Sequence, residues 1–302
     1  MLRWTSSGAV SAPQSLQIRL SQRFPGRVQA GAPVPRRAMK ADELVSNILH
    51  FTARMRGPRQ RPCTTLVLSG GGLGRRDDLP AALRLARKEG IRRVVLHASA
   101  ADLVAEEGLA PAADPGWAAL VDVLVLPFTE PGLLASLLRT VSARTVPRVV
   151  VNVSLQQPML RSIPPLADGI VASLPEARPD EVVWTWPFPG HGTPMPPDIH
   201  GTAELVRAAS MKLQGCSVAN TLKGLPPCLS GPMPFPRRKT GNRWYVDADH
   251  QHDDALLFLP AVARFHKSDS CRFCHEDQVC DGFFAEYLDQ PGCPGLHPVE
   301  PL

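Results

Sequence analysis

The chain has 302 residues, 44% of them hydrophobic, and a formal net charge of +5 at neutral pH. This length suffices for one large core with a small appended domain, and no apolar run reaches the roughly 18 residues that a membrane-spanning helix needs. Seven of the 33 Lys and Arg residues precede the first acid, Asp42. The positive charge therefore belongs to the N-terminal part, and with only 6% aromatic residues the composition argues against nucleic-acid binding.

Residues 1–37 are rich in Ser and Arg and contain no acid. An organellar transit peptide has this composition, and an ordinary Arg-rich N-terminus is the alternative. The stretch lacks the apolar segment and small-residue cleavage site of a secretory signal. We therefore expect a cytoplasmic protein without membrane contact, in which residues 1–14 form a leader outside the folded part.

Short apolar runs alternate with amphipathic helical patterns up to residue 215. The predicted strands cover residues 15–21, 64–70, 92–99, 121–128, 147–155 and 180–188. The predicted helices cover residues 41–55, 78–90, 101–108, 131–143 and 202–215. This alternation predicts an α/β fold of parallel βα units, either an open doubly wound sheet or an incomplete barrel. In both architectures ligands bind at the carboxyl ends of the strands.

The regular alternation stops at about residue 216. The rest of the chain contains a predicted hairpin in RWYVDADHQHDDALLFLP and four of the seven cysteines between Cys271 and Cys293. So short a segment has little core of its own, and a bound metal would supply stability that the core cannot. We therefore expect a small cysteine-rich domain over residues 216–302, following a first domain over residues 15–215.

Three cysteines of this segment, Cys271, Cys274 and Cys280, stand at C-x2-C-x5-C spacing, and Cys228 in LPPCL is available as a fourth. An odd number of cysteines bunched at one end is not typical of a disulfide framework. Four thiolates complete a tetrahedral zinc site or a four-iron cluster. The uneven spacing favours the cluster, because each thiolate there binds a different iron. Zinc and free buried thiols are the alternatives.

The strand at 64–70 ends in LSGGGLG, where Gly70, Gly71 and Gly72 would let a ligand approach the backbone closely. The string has neither the third glycine of G-x-G-x-x-G nor the Lys and Ser/Thr of a phosphate-binding loop. We take the three glycines as a candidate cofactor-binding site, with a tight turn as the alternative.

His250 and His252 lie among carboxylates in DADHQHDD, residues 247–254. Such a group could bind a divalent cation, but a solvated hairpin end is the simpler interpretation. The sequence alone assembles no Ser-His-Asp or Cys-His set, so we assign no catalytic residue.

Two of these features together resemble one family. The SGG-ended strand followed by DLPAALRLARKEGI resembles the second βα unit of radical SAM enzymes. LPPCL followed by CRFCHEDQVCDGFFAEYL resembles the auxiliary-cluster region, of twitch or SPASM type, that follows the barrel in many of these enzymes. The resemblance runs from about residue 15 to the end of the sequence. It implies a partial (βα)6 barrel and one auxiliary [4Fe-4S] cluster held by Cys228, Cys271, Cys274 and Cys280.

The sequence departs from this family at its reactive site. The family binds a catalytic cluster through C-x3-C-x2-C after the first strand, where this chain reads SQRFPGRVQAGAPVPRR. Gly72 replaces the Glu that helps the family to bind the ammonium of S-adenosylmethionine. We therefore do not expect S-adenosylmethionine as a cofactor or radical cleavage by this chain alone. Phe284 replaces a further SPASM cysteine, so a single cluster fits best, with Cys216 and Cys293 as spare thiols.

The favoured hypothesis is a catalytically silent radical SAM-like protein that carries one auxiliary cluster. It would be the partner subunit of an active radical SAM enzyme in peptide or natural-product modification, with a peptide as the expected substrate class. The alternative is a small-ligand-binding α/β enzyme whose cysteine tail is a structural zinc module. The identity of the metal separates the two hypotheses.

Overall fold

The computed structural model describes residues 13–21, 35–52, 62–73, 76–98, 117–128, 131–142, 146–173, 177–187, 198–233, 241–258, 265–289, 293 and 295–299. Within these ranges the chain forms an α/β structure with one nine-stranded sheet and one two-stranded sheet. None of the helices there is both long and apolar enough to cross a membrane. The predicted helix at 101–108 and all but two residues of the predicted leader lie outside the described residues.

The first seven strands run parallel and lie side by side in the order of the sequence. They are β1 (Ser15–Arg19), β2 (Thr65–Ser69), β3 (Arg93–His97), β4 (Val123–Pro127), β5 (Val149–Ser154), β6 (Glu181–Thr185) and β7 (Ala219–Lys223). β8 (Arg243–Val246) pairs in parallel with β1, and β9 (Leu256–Phe258) pairs antiparallel with β8. The six predicted strands and their parallel arrangement are confirmed, and three further strands extend the sheet beyond residue 216.

Helices connect the parallel strands. They are α1 (Ala41–Thr52), α2 (Leu79–Lys88), α3 (Pro131–Ser142), α4 (Gln157–Leu160), α5 (Ile163–Ala172), α6 (Ile199–Gly215), α7 (Pro227–Ser230) and α8 (Ala285–Leu288). α1 packs against α2, and α5 packs against both α3 and α6. The start of α6 has a clear local cause. The Asp198 carboxylate accepts hydrogen bonds from the amides of His200 and Gly201 and so caps the helix. The helices predicted at 41–55, 78–90, 131–143 and 202–215 are confirmed to within a few residues.

Alternation along the strands gives the sheet two different faces. On one face, residues such as Leu66 and Leu68 of β2 join the helices in one large core. The alternate residues of each strand form the other face. A second apolar cluster lies there, and none of its described members belongs to a helix. That cluster consists of Val95, Val123, Val125, Val150 and Val183. We refer to this side of the sheet as the valine face.

The end of the chain joins the same body. β8 and β9 form the hairpin predicted from the sequence, with Tyr245 opposite Leu256. The two-stranded sheet pairs β10 (Phe265–His266) antiparallel with β11 (Phe283–Phe284). Both residues of β11 are fully buried, in the core that the helices share with the main sheet. β7, β8 and β9 all follow residue 216, and all three belong to the main sheet. The separate domain expected over residues 216–302 stays a prediction.

Candidate metal centre

The segment that carries the cysteines, residues 267–282, connects β10 to β11, and we refer to it as the cysteine loop. Its base is fixed to the main body by aromatic contacts. The ring of Phe283 lies 6.1 Å from that of Trp186, and the Tyr287 hydroxyl donates to the carbonyl of Pro187 at 3.0 Å. Trp186 directly follows β6, so the cysteine loop starts from the carboxyl end of the parallel strands, where α/β proteins place functional sites.

Hydrogen bonds within the cysteine loop fold it into consecutive turns. A 3-10 helix spans Asp269–Phe273, and the amide of Cys274 donates to the carbonyl of Cys271 at 3.0 Å. The Lys267 ammonium donates to the carbonyl and the carboxylate of Asp277, at 2.9 and 2.7 Å. These contacts fold the backbone around the thiols into a defined set of turns.

Gly282 closes the cysteine loop. Its φ is +91°, and a Cβ atom there would lie 2.3 Å from the carbonyl oxygen of His266. A glycine is therefore required at the point where the cysteine loop returns to pair with β10. The Gly282 amide also donates to the sulfur of Cys280 at 3.2 Å, so the same residue serves the turn and the thiol.

Each of the four predicted ligand thiols has a polar partner. The pairs are Cys228 with the amide of His297, Cys271 with the Ser268 hydroxyl at 3.3 Å, Cys274 with the amide of Val299 at 3.3 Å, and Cys280 with the amide of Gly282 at 3.2 Å. Donors to sulfur stabilise the thiolate form and tune the potential of thiolate-held clusters.

Cys228 lies on α7, far from the cysteine loop in sequence but close to it in space. Burial raises the pKa of its thiol, the neighbouring thiols Cys271 and Cys274 raise it further, and the His297 amide lowers it. Thiols act on one another in this way only when they are near neighbours. Cys228 therefore lies within electrostatic range of Cys271 and Cys274, and Cys280 lies in the same loop as those two thiols.

The other cysteines have other surroundings. Cys63 is buried before β2, where its thiol donates to the carbonyl of Pro13 at 3.7 Å. Cys216 ends α6, and Cys293 packs against the core, where burial raises the pKa of its thiol. In the described ranges, no group of three or more His, Cys, Asp or Glu side chains is arranged to hold a metal ion. The four predicted ligand thiols are therefore not arranged around one ion-sized space in the described part of the chain.

The candidate glycines follow β2. Gly70 has φ +132°, and a Cβ atom there would lie 2.9 Å from the amide nitrogen of Ser21. The Ser21 hydroxyl donates to the carbonyl of Gly71 at 2.9 Å. Close packing of the chain after β1 against the chain after β2 explains Gly70. Gly72 has φ +82° with open space around its Cβ position. A glycine is therefore favoured there by the backbone conformation of the turn and not by close packing.

The two candidate histidines after β8 have different partners. His250 Nδ1 lies 2.9 Å from Asp247 Oδ1, whereas His252 Nε2 lies 2.9 Å from the Ser46 hydroxyl on α1. His252 also lines an open acidic hollow with Asp42 and Asp254. These contacts agree with the favoured interpretation of a hairpin end, and a divalent-cation site here stays the alternative.

A row of polar side chains crosses the valine face at the carboxyl ends of four neighbouring strands. Strand pairing places Arg19 level with Ser69, and Ser69 level with His97. The register between β1 and β8 continues this line to Asp247, directly after β8. We refer to these four residues as the polar row. Sequence analysis missed it, although Arg19, Ser69 and His97 each lie near the end of a strand predicted from the sequence.

The polar row is largely buried. Asp247, Ser69 and Arg19 expose 0%, 1% and 2% of their surfaces. Burial, and after it the charges of Lys223 and Arg243, lower the pKa of His97 to about 4. The His97 imidazole is therefore neutral at physiological pH and can both donate and accept a hydrogen bond.

No protein-family model matches the chain, and no curated protein is significantly similar to it in sequence.

Proposed function

We propose that Cys228, Cys271, Cys274 and Cys280 hold one auxiliary [4Fe-4S] cluster. The observation that carries this proposal is that Cys228, distant in sequence, lies within electrostatic range of Cys271 and Cys274, each thiol having its own polar partner. Four thiolates with surrounding amide donors are the ligand set of such clusters. When bound, the cluster would supply electron transfer, while the chain's own part is to hold the thiols and exclude water from their buried side.

We further propose that the main sheet curls into a partial barrel. The sequential order of β1 to β7, with helices packed side by side, is the winding of a barrel and differs from a doubly wound sheet. In a flat sheet β3 and β7 would lie about 19 Å apart. The charge of Lys223 on β7 nevertheless acts on His97 on β3, which supports a curved sheet.

The proposed role of the chain is that of a catalytically silent partner subunit of an active radical SAM enzyme. Two exposed apolar side chains of the cysteine loop support a partner surface, since Phe273 exposes 73% and Val279 47% of its surface. Cys63, the one thiol before residue 216, is buried and hydrogen-bonded to the backbone, which suits packing rather than a catalytic cluster. Peptide or natural-product modification is the proposed setting.

The deciding experiment is anaerobic purification followed by counting of iron, sulfide and zinc. The proposal expects about four irons and four sulfides per chain, with the visible absorption of an iron–sulfur chromophore. One zinc per chain without sulfide would instead support the alternative, a small-ligand-binding α/β enzyme with a structural zinc module. Full-length protein that takes up neither metal after anaerobic reconstitution would overturn both assignments.

A further inference from the structure

Residues 295–299 lie against two of the predicted metal ligands, and we refer to them as the tail strap. The side chain of Leu296 is half-buried and packs against the main core. The amide of the next residue, His297, donates to the sulfur of Cys228 on α7. The tail strap is therefore attached both to the core and to the ligand that lies far from the cysteine loop in sequence.

A second set of contacts joins the tail strap to the cysteine loop. The Val299 amide donates to the sulfur of Cys274 at 3.3 Å, and the Val299 carbonyl accepts the amide of His275 at 3.1 Å. The amides of Val299 and His297 are two residues apart, so they are separated by at most about 7 Å. One short segment thus connects two predicted ligands that come from different parts of the fold.

Pro298 makes this segment well suited to its contacts. Proline has no N–H, so both N–H groups of residues 297–299 are donated to sulfur. Its ring fixes its own φ and restricts the preceding residue, His297, to extended conformations. A segment restricted in this way loses little conformational entropy when it attaches.

The strength of this attachment should depend on whether the sulfurs hold a metal. A neutral thiol is a weak hydrogen-bond acceptor, whereas a metal-bound thiolate is negatively charged and accepts more strongly. Bound metal should therefore tighten the tail strap. Because the coupling between two binding events is reciprocal, the attached tail strap must in turn stabilise the bound metal.

We propose that the tail strap closes the metal centre and has to detach before the metal can leave. Val299 and His297 are positioning residues in this role, since their amides act on the metal through the sulfurs of Cys274 and Cys228. The inference rests on the proposed metal centre and adds to it the element that controls metal release. It applies to an iron–sulfur cluster and to a zinc ion, because thiolates hold both.

Hydrogen–deuterium exchange of the metal-free, full-length protein tests the attachment itself. Cys274→Ala removes the acceptor of the Val299 amide, so the amides of the tail strap should exchange several-fold faster than in the parent. Cys271→Ala is the matched control, because it also removes one thiol of the cysteine loop, but one whose sulfur lies 3.3 Å from the Ser268 hydroxyl. Equal exchange of the tail strap in the two variants would overturn the proposal.

The rate of metal release tests the consequence of the attachment. Val299→Pro deletes the N–H that Cys274 accepts, and the restricted φ of Pro298 is compatible with a following proline. We expect a chelator to extract the metal about tenfold faster from this variant, the scale on which partners of metal ligands act. Val299→Ala is the control, since it shortens the side chain but keeps the amide, and its rate should match that of the parent. Equal rates in all three proteins would overturn the role in metal release.

The two experiments separate this inference from the proposed function. A parent protein that holds a metal, with equal extraction rates in the variants, would leave the metal centre in place and refute the tail strap alone. A parent that binds no metal would refute the proposed function and with it the control of metal release. The exchange experiment needs no metal, so in that case it still decides whether the tail strap attaches to Cys274.

Discussion

Cys274 interacts with two other parts of the chain near the proposed metal centre. Its sulfur accepts the amide of Val299, and its charge acts on Cys228. In Cys274→Ala one of four ligands is lost, so we expect the chain to lose most of its bound iron and sulfide together with its visible absorption. Metal and sulfide analysis of the purified variant measures this.

Cys63→Ala is the matched control for Cys274→Ala, because Cys63 is a buried thiol that lies before β2. This control should keep the iron content of the parent. Equal iron loss in both variants would mean that Cys274 has no special part in metal binding.

Glu43 in the first turn of α1 ties three segments together. It accepts the fork of Arg37 at 2.7 and 2.5 Å, the amide of Lys40 at 2.8 Å and the side chain of Gln251 at 3.2 Å. The bonds with Arg37 contribute most to holding the pKa of Glu43 at about 2, below its ordinary 4.5. Because the folded-state pKa is depressed, this stabilisation is present above pH 4.5 and is lost as the pH falls toward 2.

Glu43→Gln should therefore lower the free energy of unfolding at pH 7 by about 1 kcal/mol, the scale of a helix cap with an exposed ion pair. The difference from the parent should shrink between pH 4.5 and pH 2, as urea unfolding at several pH values would show. Glu204→Gln is the control, since Glu204 pairs with Arg207 at a site where the carboxylate is 71% exposed. A constant difference across this pH range would contradict the assignment.

Residue patterns in the sequence locate the candidate ligands of the metal but not the polar row. The C-x2-C-x5-C spacing identifies the cysteine loop because metal ligands cluster along the chain. Arg19, Ser69 and His97 each lie within two residues of the end of a predicted strand, so position in the pattern could have drawn attention to them. Asp247 could not, because its burial depends on β8 pairing with β1, a contact between distant segments that no local pattern encodes.

At the scale of elements, the cysteine loop depends on its base. Gly282→Ala would place a Cβ atom 2.3 Å from the carbonyl of His266 at a φ of +91°, so the pairing of β10 with β11 should be disrupted. We expect reduced metal content and a Tm lowered by several degrees, measured by metal analysis and thermal unfolding. Gly295→Ala is the control within the same tail, because nothing lies within 4 Å of its Cβ position. Equal effects of the two substitutions would refute a specific role for the base.

The elements that sequence analysis found and missed differ in composition. β2 to β6 are rich in Val and Leu, so their apolar runs predict buried parallel strands. β7 reads ANTLK, and its polar residues conceal a buried strand. Asn220 is buried on β7 because its side chain accepts a hydrogen bond from the Trp184 indole on β6 at 3.0 Å, which offsets the cost of burial. Such a partner becomes visible only when the two strands are paired.

For the molecule as a whole, the aromatic residues around β11 connect the tail to the main core. Phe283, Phe284 and Tyr287 are buried in the cluster that also contains Trp186 and Leu222. We therefore expect one cooperative thermal transition for the whole chain, and removal of the metal by a chelator should shift that single transition downward. Scanning calorimetry with and without the chelator measures this. Two separate transitions, of which only one responds to the chelator, would show that residues 216–302 fold independently.

Assembly is the second property of the whole molecule that can be tested. Phe273→Ala removes the most exposed apolar side chain of the cysteine loop and should weaken the partner complex without changing the metal content. The measurement is anaerobic co-purification from the native cell, with mass spectrometry to ask whether the captured chain contains a C-x3-C-x2-C motif. Met211→Ala on α6 is the control, since Met211 is 61% exposed and lies outside the cysteine loop. Capture of no such chain by the parent would contradict the partner role.

The pairing of β8 with β1 has a consequence for how the chain folds. β1 forms near the start of the sequence, yet one of its two edges stays open until β8 follows more than two hundred residues later. Contacts between such distant segments carry a large loop-closure cost, so closing this edge should be slow compared with the stepwise addition of β2 to β7. During synthesis on the ribosome, the growing sheet would therefore carry an unpaired edge along β1 for most of the time. The cysteine loop follows β8 and β9 in the chain, so its thiols are synthesised after every strand of the main sheet.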